Sequence, residues 1–163
     1  MPFVRRHLIQ FAAASLATLA LGAAAQSYPT KPVTLLVPYP AGGGSDFLAR
    51  TIGQQLPTQV GQTVLVDNKP GANTAIAASE VARCAPDGYT VLSADNGTMT
   101  FNTALYSKLS YNPDKDLTPI TLMGRFPMIL VAGPNADAKS AKDFLAKAKA
   151  APGKISYGSA GAG

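Results

Sequence analysis

Val33-Thr-Leu-Leu-Val-Pro-Tyr-Pro-Ala-Gly-Gly-Gly-Ser-Asp46 joins an uncharged apolar run to a glycine-rich turn. The run Val33–Val37 is typical of a strand that is buried on both faces of a parallel sheet. Pro38 and Pro40 end strand pairing because proline has no backbone donor, and three consecutive glycines then allow a tight bend. The stretch therefore predicts a buried strand and a turn whose amides can approach a ligand closely.

A helix is predicted directly after this turn. Ser45 or Asp46 can cap it, and its buried face is predicted from helical spacing to contain Leu48, Ile52 and Leu56. The helix would begin at the carboxyl edge of the sheet, where free N–H groups and a positive dipole end favour an anion. The residues alone thus predict a small-anion site, with a plain strand-to-helix turn as the alternative.

Asp46 has two possible roles in such a site. A carboxylate that pointed into an anion pocket would repel the ligand, so we expect it to cap the helix or to order waters and backbone groups around the pocket. Direct binding of a ligand amine is the second interpretation.

The first 25 residues have the pattern of an export signal. Arg5, Arg6 and His7 form a basic start, residues 11–21 an apolar run, and residues 23–25 are alanines suited to cleavage. The run is shorter than the roughly 20 apolar residues that span a membrane. We therefore predict a signal peptide at residues 1–25 and a periplasmic protein, with the Sec and twin-arginine routes both open.

Removal of the signal changes the charge and the chemical inventory. Twelve of the fourteen basic residues remain against nine acidic ones, a net charge of +3, and they form no basic stripe, so nucleic acid is not an expected partner. His7 is the only histidine and Cys84 the only cysteine. Residues 26–163 therefore cannot form a Ser-His-Asp triad, a His/Cys zinc site or an internal disulfide. The scattered aspartates could still do acid/base or metal chemistry, but none has the spacing of a calcium-binding loop. The inventory disfavours an enzyme, and we predict no catalytic residue, metal or cofactor.

Two more strand, loop and helix units follow the first. Strands are predicted at residues 63–66, ending at Asp67-Asn68, and at residues 89–92, and polar loops follow them at residues 69–73 and 93–98. On the intervening helix, Cys84 shares a face with Ala77 and Val81, which predicts that it packs in the core. Three such units indicate a doubly wound α/β lobe whose site lies at the strand ends.

The remaining residues predict the start of a second lobe. Residues 120–123 and 128–132 are apolar strand candidates, and residues 154–157 are a predicted strand that enters a Gly/Ser loop. Between them, Ser140 and Asp143 form a capping-box-like helix start. We assign residues 26–118 to a first lobe and residues 119–163 to a second.

A dinucleotide site is a competing interpretation of the glycine turn. The third glycine of that fingerprint would fall at Phe47, so the match is partial, although Asp67 lies where a ribose-binding acid would, about 20 residues on. A nucleotide-dependent oxidoreductase therefore stays an alternative.

Five segments, in order, resemble the receptors of tripartite tricarboxylate transporters, also called Bug proteins. They are residues 28–46, which include the glycine turn, residues 61–72 (GQTVLVDNKPGA), 85–92 (APDGYTVL), 111–119 (YNPDKDLTP) and 152–163 (PGKISYGSAGAG). The resemblance implies a periplasmic-binding-protein-like α/β fold, with two doubly wound lobes that close on a small carboxylate and deliver it to membrane transporter subunits. It also implies a monomer, when complete, that holds its ligand through loop backbone groups and bridging waters.

The same resemblance implies which residues line the ligand site. From the first lobe these are Tyr39, Ala41, Gly42, Gly43, Gly44, Asp46, Asn73, Thr74, Asn96, Gly97 and Thr98. From the second lobe they are Ser159, Ala160 and Gly161.

Two departures from the family pattern limit these expectations. Asn73 and Thr74 stand where the family usually has paired glycines, and Ala77 replaces a later glycine, so the identity of the ligand does not follow. The sequence stops at Gly163, inside the second lobe, which predicts uncovered apolar faces and a marginally stable or aggregating product. A non-functional fragment of such a receptor is therefore a further alternative.

Overall fold

The computed structural model describes residues 27–159, and the chain divides into units of residues 1–30 and 31–163. All elements below belong to the second unit. The predicted signal peptide and the predicted site residues Ala160 and Gly161 lie outside the described residues. Within residues 27–159, none of the helices has the length and apolar character of a membrane span.

Three parallel strands form one sheet in the order β2-β1-β3: β1 (Val33–Val37), β2 (Val64–Asn68) and β3 (Thr90–Leu92). Val37 pairs with Asn68, and Leu36 pairs with Leu92, so the carboxyl ends of all three strands lie at one edge. The central strand is the most buried, and Leu36 and Val37 are almost fully enclosed. The predicted parallel sheet with a buried first strand is confirmed.

Helices alternate with these strands. They are α1 (Gly44–Gln55), α2 (Pro57–Val60), α3 (Ala75–Arg83), α4 (Asn102–Leu105), α5 (Pro113–Asp116) and α6 (Ala141–Ala150), with a 3₁₀ turn at Ala72–Thr74 and a π-helical turn at Gly97–Phe101. Helix α1 contacts β2 and β1, and α3 contacts β3 and β1. The β-α-β-α-β order confirms the predicted α/β class.

The buried face of α1 differs from the prediction. The predicted core side chains are only half-buried, namely Leu48, Ile52 and Leu56. The buried residues are instead Asp46 and the small Ala49 and Gly53. A Cβ at Gly53 would lie 3.3 Å from Cγ2 of Val66, so the helix backbone packs directly on β2, and only small residues fit there.

The prediction that Cys84 packs in the core is also wrong. Ala77 is buried as expected, but Cys84 is half-buried and lines a shallow surface pocket with Ile76, Glu80 and Arg83. The backbone is already extended at Cys84, with ψ of 161°, because α3 ends at Arg83. The helical face that Ala77 begins therefore does not continue to Cys84.

The strands predicted at residues 120–123, 128–132 and 154–157 are wrong. None of these segments has regular structure, and none pairs with another strand among residues 27–159. An isolated strand has no partner for its backbone hydrogen bonds, so the apolar runs stay irregular. Their side chains are exposed, with Met128 90% and Tyr157 87% accessible.

Helix α6 begins as predicted. The Oγ of Ser140 accepts a 3.1 Å hydrogen bond from the amide of Asp143, and a carboxylate oxygen of Asp143 accepts one of 2.9 Å from the amide of Lys139. The two bonds satisfy the amide of Asp143 in the first turn and the amide of Lys139 just before the N-cap.

Candidate functional site

The glycine turn lies at the carboxyl end of β1. Gly42 has a left-handed backbone, with φ of 88°, and Gly43 is the N-cap of α1. The cap is therefore not Ser45 or Asp46, because the chain bends before them and leaves both inside the first turn. Since Gly43 has no side chain, the first amides of this twelve-residue helix lack a capping oxygen from it. The turn is exposed and suits an anion.

The carboxylate of Asp46 is hydrogen-bonded to this turn. Its Oδ2 accepts hydrogen bonds from the amide of Gly42 at 2.8 Å and from Nε of Arg50 at 3.0 Å, and its Oδ1 accepts one from Nδ2 of Asn68 at 2.9 Å. We call these four residues the Asp46 cluster. The carboxylate is only 5% exposed. Asp46 thus orders the backbone at Gly42, which is part of the first of its two predicted roles.

The Asp46 cluster stabilises the ionised carboxylate. Hydrogen bonds from Arg50, from the amide of Gly42 and from Asn68, in that order of importance, lower the pKa of the Asp46 carboxyl from 3.8 to about 2. The positive charge of Arg50 acts in the same direction. Asp46 is therefore charged at any physiological pH, and its charge is matched by Arg50 rather than left for a ligand.

Tyr39 connects the Asp46 cluster to the loop that follows β3. Its backbone oxygen accepts a 3.0 Å hydrogen bond from Nδ2 of Asn68, while its hydroxyl donates to the carboxylate of Asp95. Burial of the ring, the hydrogen bond to Asp95 and the charge of Asp95 raise the pKa of Tyr39. Tyr39 thus stays neutral and acts as a hydrogen-bond donor.

A buried set of polar side chains joins the loops after β2 and β3. We call it the Asn102 network, and it consists of Asn73, Thr74, Thr98, Asn102 and Tyr111. The hydroxyl oxygens of Thr98 and Thr74 lie 2.9 Å apart and are hydrogen-bonded, and the hydroxyl of Tyr111 donates to the backbone oxygen of Thr98 at 2.6 Å. Asp95 connects the network to Tyr39, because its Oδ1 accepts from both the amide and the Oγ1 of Thr98 at 2.9 Å.

The structure brings the three predicted loops together but turns some predicted binding side chains inward. Thr74 and Thr98 are 2% and 0% exposed and hydrogen-bond each other. Asn96 is exposed, and Gly97 is half-buried. Ser159 is exposed at the last described position. The loops after β1, β2 and β3 therefore form one connected edge of the sheet.

Sequence reasoning missed several residues that organise this edge. They are Arg50, Asn68, Asn102 and Tyr111. Asn68 had a detectable signal, since it ends a predicted strand at the edge of the sheet. Asn102 and Tyr111 had none, because only folding brings them beside Asn73 and Thr74.

Phe126 is a further residue that the sequence did not identify. A Cβ placed on Gly44, the first residue of α1, would lie 3.6 Å from Cε1 of Phe126, so the aromatic ring packs against the exposed glycine turn. The ring remains 56% exposed. It therefore gives the turn an apolar wall beside its amides.

The two residues that bear on the dinucleotide alternative lie in the described part of the chain. Asp67, the predicted ribose-binding acid, has its Oδ2 3.6 Å from Nζ of Lys69, which also pairs with Glu80. Phe47 stands at the place of the third glycine and is 71% exposed. Within residues 27–159, no group of three His, Cys, Asp or Glu residues is arranged to hold a metal ion.

Similarity to known proteins agrees with this geometry. The chain is 39% identical over 140 residues to a UPF0065 protein of Agrobacterium vitis, which covers 86% of this chain and 40% of that protein. It is 36% identical to MatC from Rhodopseudomonas palustris with bound malate, with a TM-score of 0.72 over 75% of this chain and 42% of MatC. A second R. palustris structure, with adipate, is 35% identical, with a TM-score of 0.74 over 78% of this chain and 43% of that one.

The chain thus spans less than half the length of these relatives. The family model "Tripartite tricarboxylate transporter family receptor" matches residues 48–163, which begin inside α1 and include β2, β3 and the Asn102 network. On this match, the chain belongs to the tripartite tricarboxylate transporter family receptors.

Proposed function

We propose that this polypeptide forms part of an extracytoplasmic receptor that binds a small carboxylate and presents it to a tripartite tricarboxylate-type membrane transporter. The observation that carries the proposal is the exposed turn Ala41–Gly44 at the start of α1. Two related structures, one with malate and one with adipate, support the same ligand class. The lobes assigned to residues 26–118 and 119–163 remain a prediction.

The ligand carboxylate would be bound by backbone amides rather than by a charged side chain. The first amides of a helix lack intrahelical partners and lie at its positive dipole end. Arg50, one turn along α1 from Asp46, is already paired with that carboxylate. The other predicted binding residues, including Ser159, would complete the site through backbone groups and bridging waters.

No chemical step is part of the proposal. The ionised Asp46 is enclosed by three hydrogen-bond donors, and Tyr39 is held neutral, so neither is poised to exchange a proton with a ligand. The receptor would bind and release its ligand unchanged, as expected for a solute-binding protein in the periplasm. Its closure would replace the hydration of the anion by fixed amides.

A pair of substitutions at Gly44 tests the role of the amides. Proline is well tolerated at the first helical position but removes the N–H, whereas Gly44→Ala keeps it. A Cβ at Gly44 meets only ordinary contacts, at 3.6 Å, and the preceding Gly43 has the extended backbone that proline favours in its predecessor. Calorimetric titration with malate and adipate is expected to show roughly ten- to hundredfold weaker binding for Gly44→Pro than for Gly44→Ala.

Three outcomes would contradict the proposal. Equal affinity of Gly44→Pro and Gly44→Ala would show that the amide of residue 44 does not bind the ligand. Binding of NAD without binding of either acid, lost in Asp67→Ala, would favour the oxidoreductase alternative. If none of malate, adipate and NAD raised the Tm of the unmutated chain, a non-functional fragment would be the better description.

A further inference from the structure

We propose that Asn102 is a positioning residue of the candidate site, because its buried carboxamide holds the left-handed turn Ala72–Thr74 against the loop that follows β3. The residue lies in the middle of the Asn102 network and is 0% exposed. Only the ligand readout of the test below rests on the proposed carboxylate function. The structural readout is independent of it.

The turn after β2 has an unusual backbone that needs support. Ala72, Asn73 and Thr74 all have positive φ, at 46°, 49° and 74°, directly after Gly71 at 127°. Residues with a Cβ rarely adopt this region, and three in succession persist only when their surroundings hold them. The sequence places no glycine at these three positions, so tertiary contacts must supply what glycine would have made unnecessary.

Asn102 supplies those contacts from both ends of its carboxamide. Its Nδ2 lies 2.7 Å from the backbone oxygen of Asn73, 3.2 Å from Oγ1 of Thr74 and 3.1 Å from the hydroxyl of Tyr111. Its Oδ1 accepts a 2.7 Å hydrogen bond from Nδ2 of Asn73. Only a side chain with both a donor and an acceptor can make this set, so neither aspartate nor leucine could replace it.

The network also fixes the turn relative to the neighbouring loop. Thr74 is hydrogen-bonded to both Asn102 and Thr98, and Tyr111 is hydrogen-bonded to both Asn102 and the backbone of Thr98. Asp95 then carries the connection to Tyr39 beside the glycine turn. Loss of Asn102 would therefore release one predicted wall of the ligand site while the sheet stays formed.

The test compares Asn102→Ala in two backgrounds. In the unmutated background, amides of residues 71–78 are expected to exchange with deuterium at least about tenfold faster, while those of β1 are unchanged. The second background carries Asn73→Gly and Thr74→Gly, which remove the steric cost of positive φ at two of the three positions. Adding Asn102→Ala to this background, which gives the triple variant, is expected to change the exchange rates of residues 71–78 by no more than about threefold. Ser140→Ala, which removes the cap of α6, is the control.

Affinity for malate is expected to fall in Asn102→Ala, because one predicted wall of the site is released, whereas the rescue by glycine is judged on exchange alone. If Asn102→Ala fails to fold but the triple variant folds, the rescue itself supports the proposal. Failure of both to fold would overturn it, because Asn102 would then be needed for the core rather than for the turn. Faster exchange throughout β1, or no rescue by glycine, would overturn it as well. If unmutated protein does not bind malate, the receptor proposal fails while the exchange result still decides the role of Asn102.

Discussion

Oδ1 of Asp46 accepts a 2.9 Å hydrogen bond from Nδ2 of Asn68 and thereby joins the first turn of α1 to the end of β2. The same Nδ2 donates to the backbone oxygen of Tyr39. One carboxamide thus bridges the strand that ends in the glycine turn and the helix that begins there. The glycine turn is flexible by composition but is held in place by these bonds.

Asp46→Asn is expected to lower the Tm by several degrees. The carboxylate accepts hydrogen bonds from three donors, and the NH₂ group of asparagine would be a donor placed against at least one of them. The ion pair with Arg50 would also be lost. Thermal unfolding followed by circular dichroism measures the effect. Asp114→Asn, on the exposed surface of α5, is the control, and an equal Tm for the two variants would contradict the assignment.

The stability of the folded chain is expected to fall in acid because of Asp46. Its folded pKa of about 2 lies below the ordinary value of 3.8, so the unfolded state binds more protons between these values. The contribution is complete above about pH 4 and is lost as the pH falls towards 2. Urea unfolding across this range is expected to show a steeper loss for unmutated protein than for Asp46→Asn, and parallel curves would refute the prediction.

Gly53→Val is expected to destabilise the lobe by about 1–3 kcal/mol through overpacking. A Cβ at this position would already lie 3.3 Å from Cγ2 of Val66 and 3.6 Å from Cγ1 of Val64, so a branched side chain must push α1 away from β2. The free energy of unfolding in urea measures the cost. Gly133→Val, where a Cβ would meet nothing within 4 Å, is expected to change it little. Equal costs at both positions would disprove close helix packing.

Phe126→Ala is expected to weaken binding of adipate more than binding of malate, by roughly three- to tenfold for adipate. The exposed ring beside Gly44 can cover the hydrocarbon part of a bound acid, and adipate has the longer hydrocarbon chain. Calorimetric titration of both acids measures the difference. Met128→Ala, at a side chain that is 90% exposed, should leave both affinities unchanged. A uniform loss for both acids would argue against an apolar wall.

Local patterns were sufficient for the parts of the fold that depend on neighbours in sequence. The apolar run before the glycines predicted β1 and a helix after the turn, although not its cap, and Ser140 with Asp143 predicted the start of α6. Local patterns failed where a partner was required. Residues 120–123 and 128–132 have strand composition, yet they stay irregular because no neighbouring strand pairs with them in the described part of the chain.

By itself, the sequence determined the α/β class, the parallel strands that end at a common edge and the exposed glycine turn at the start of α1. Only the tertiary structure decided what those loops do with their side chains. Thr74 and Thr98 bond each other, and Asn102 reaches back 29 residues to Asn73 to hold a left-handed turn. Helix and strand signals arise from spacing along the chain, whereas a buried hydrogen bond depends on which distant groups the packed sheet brings within 3 Å of each other.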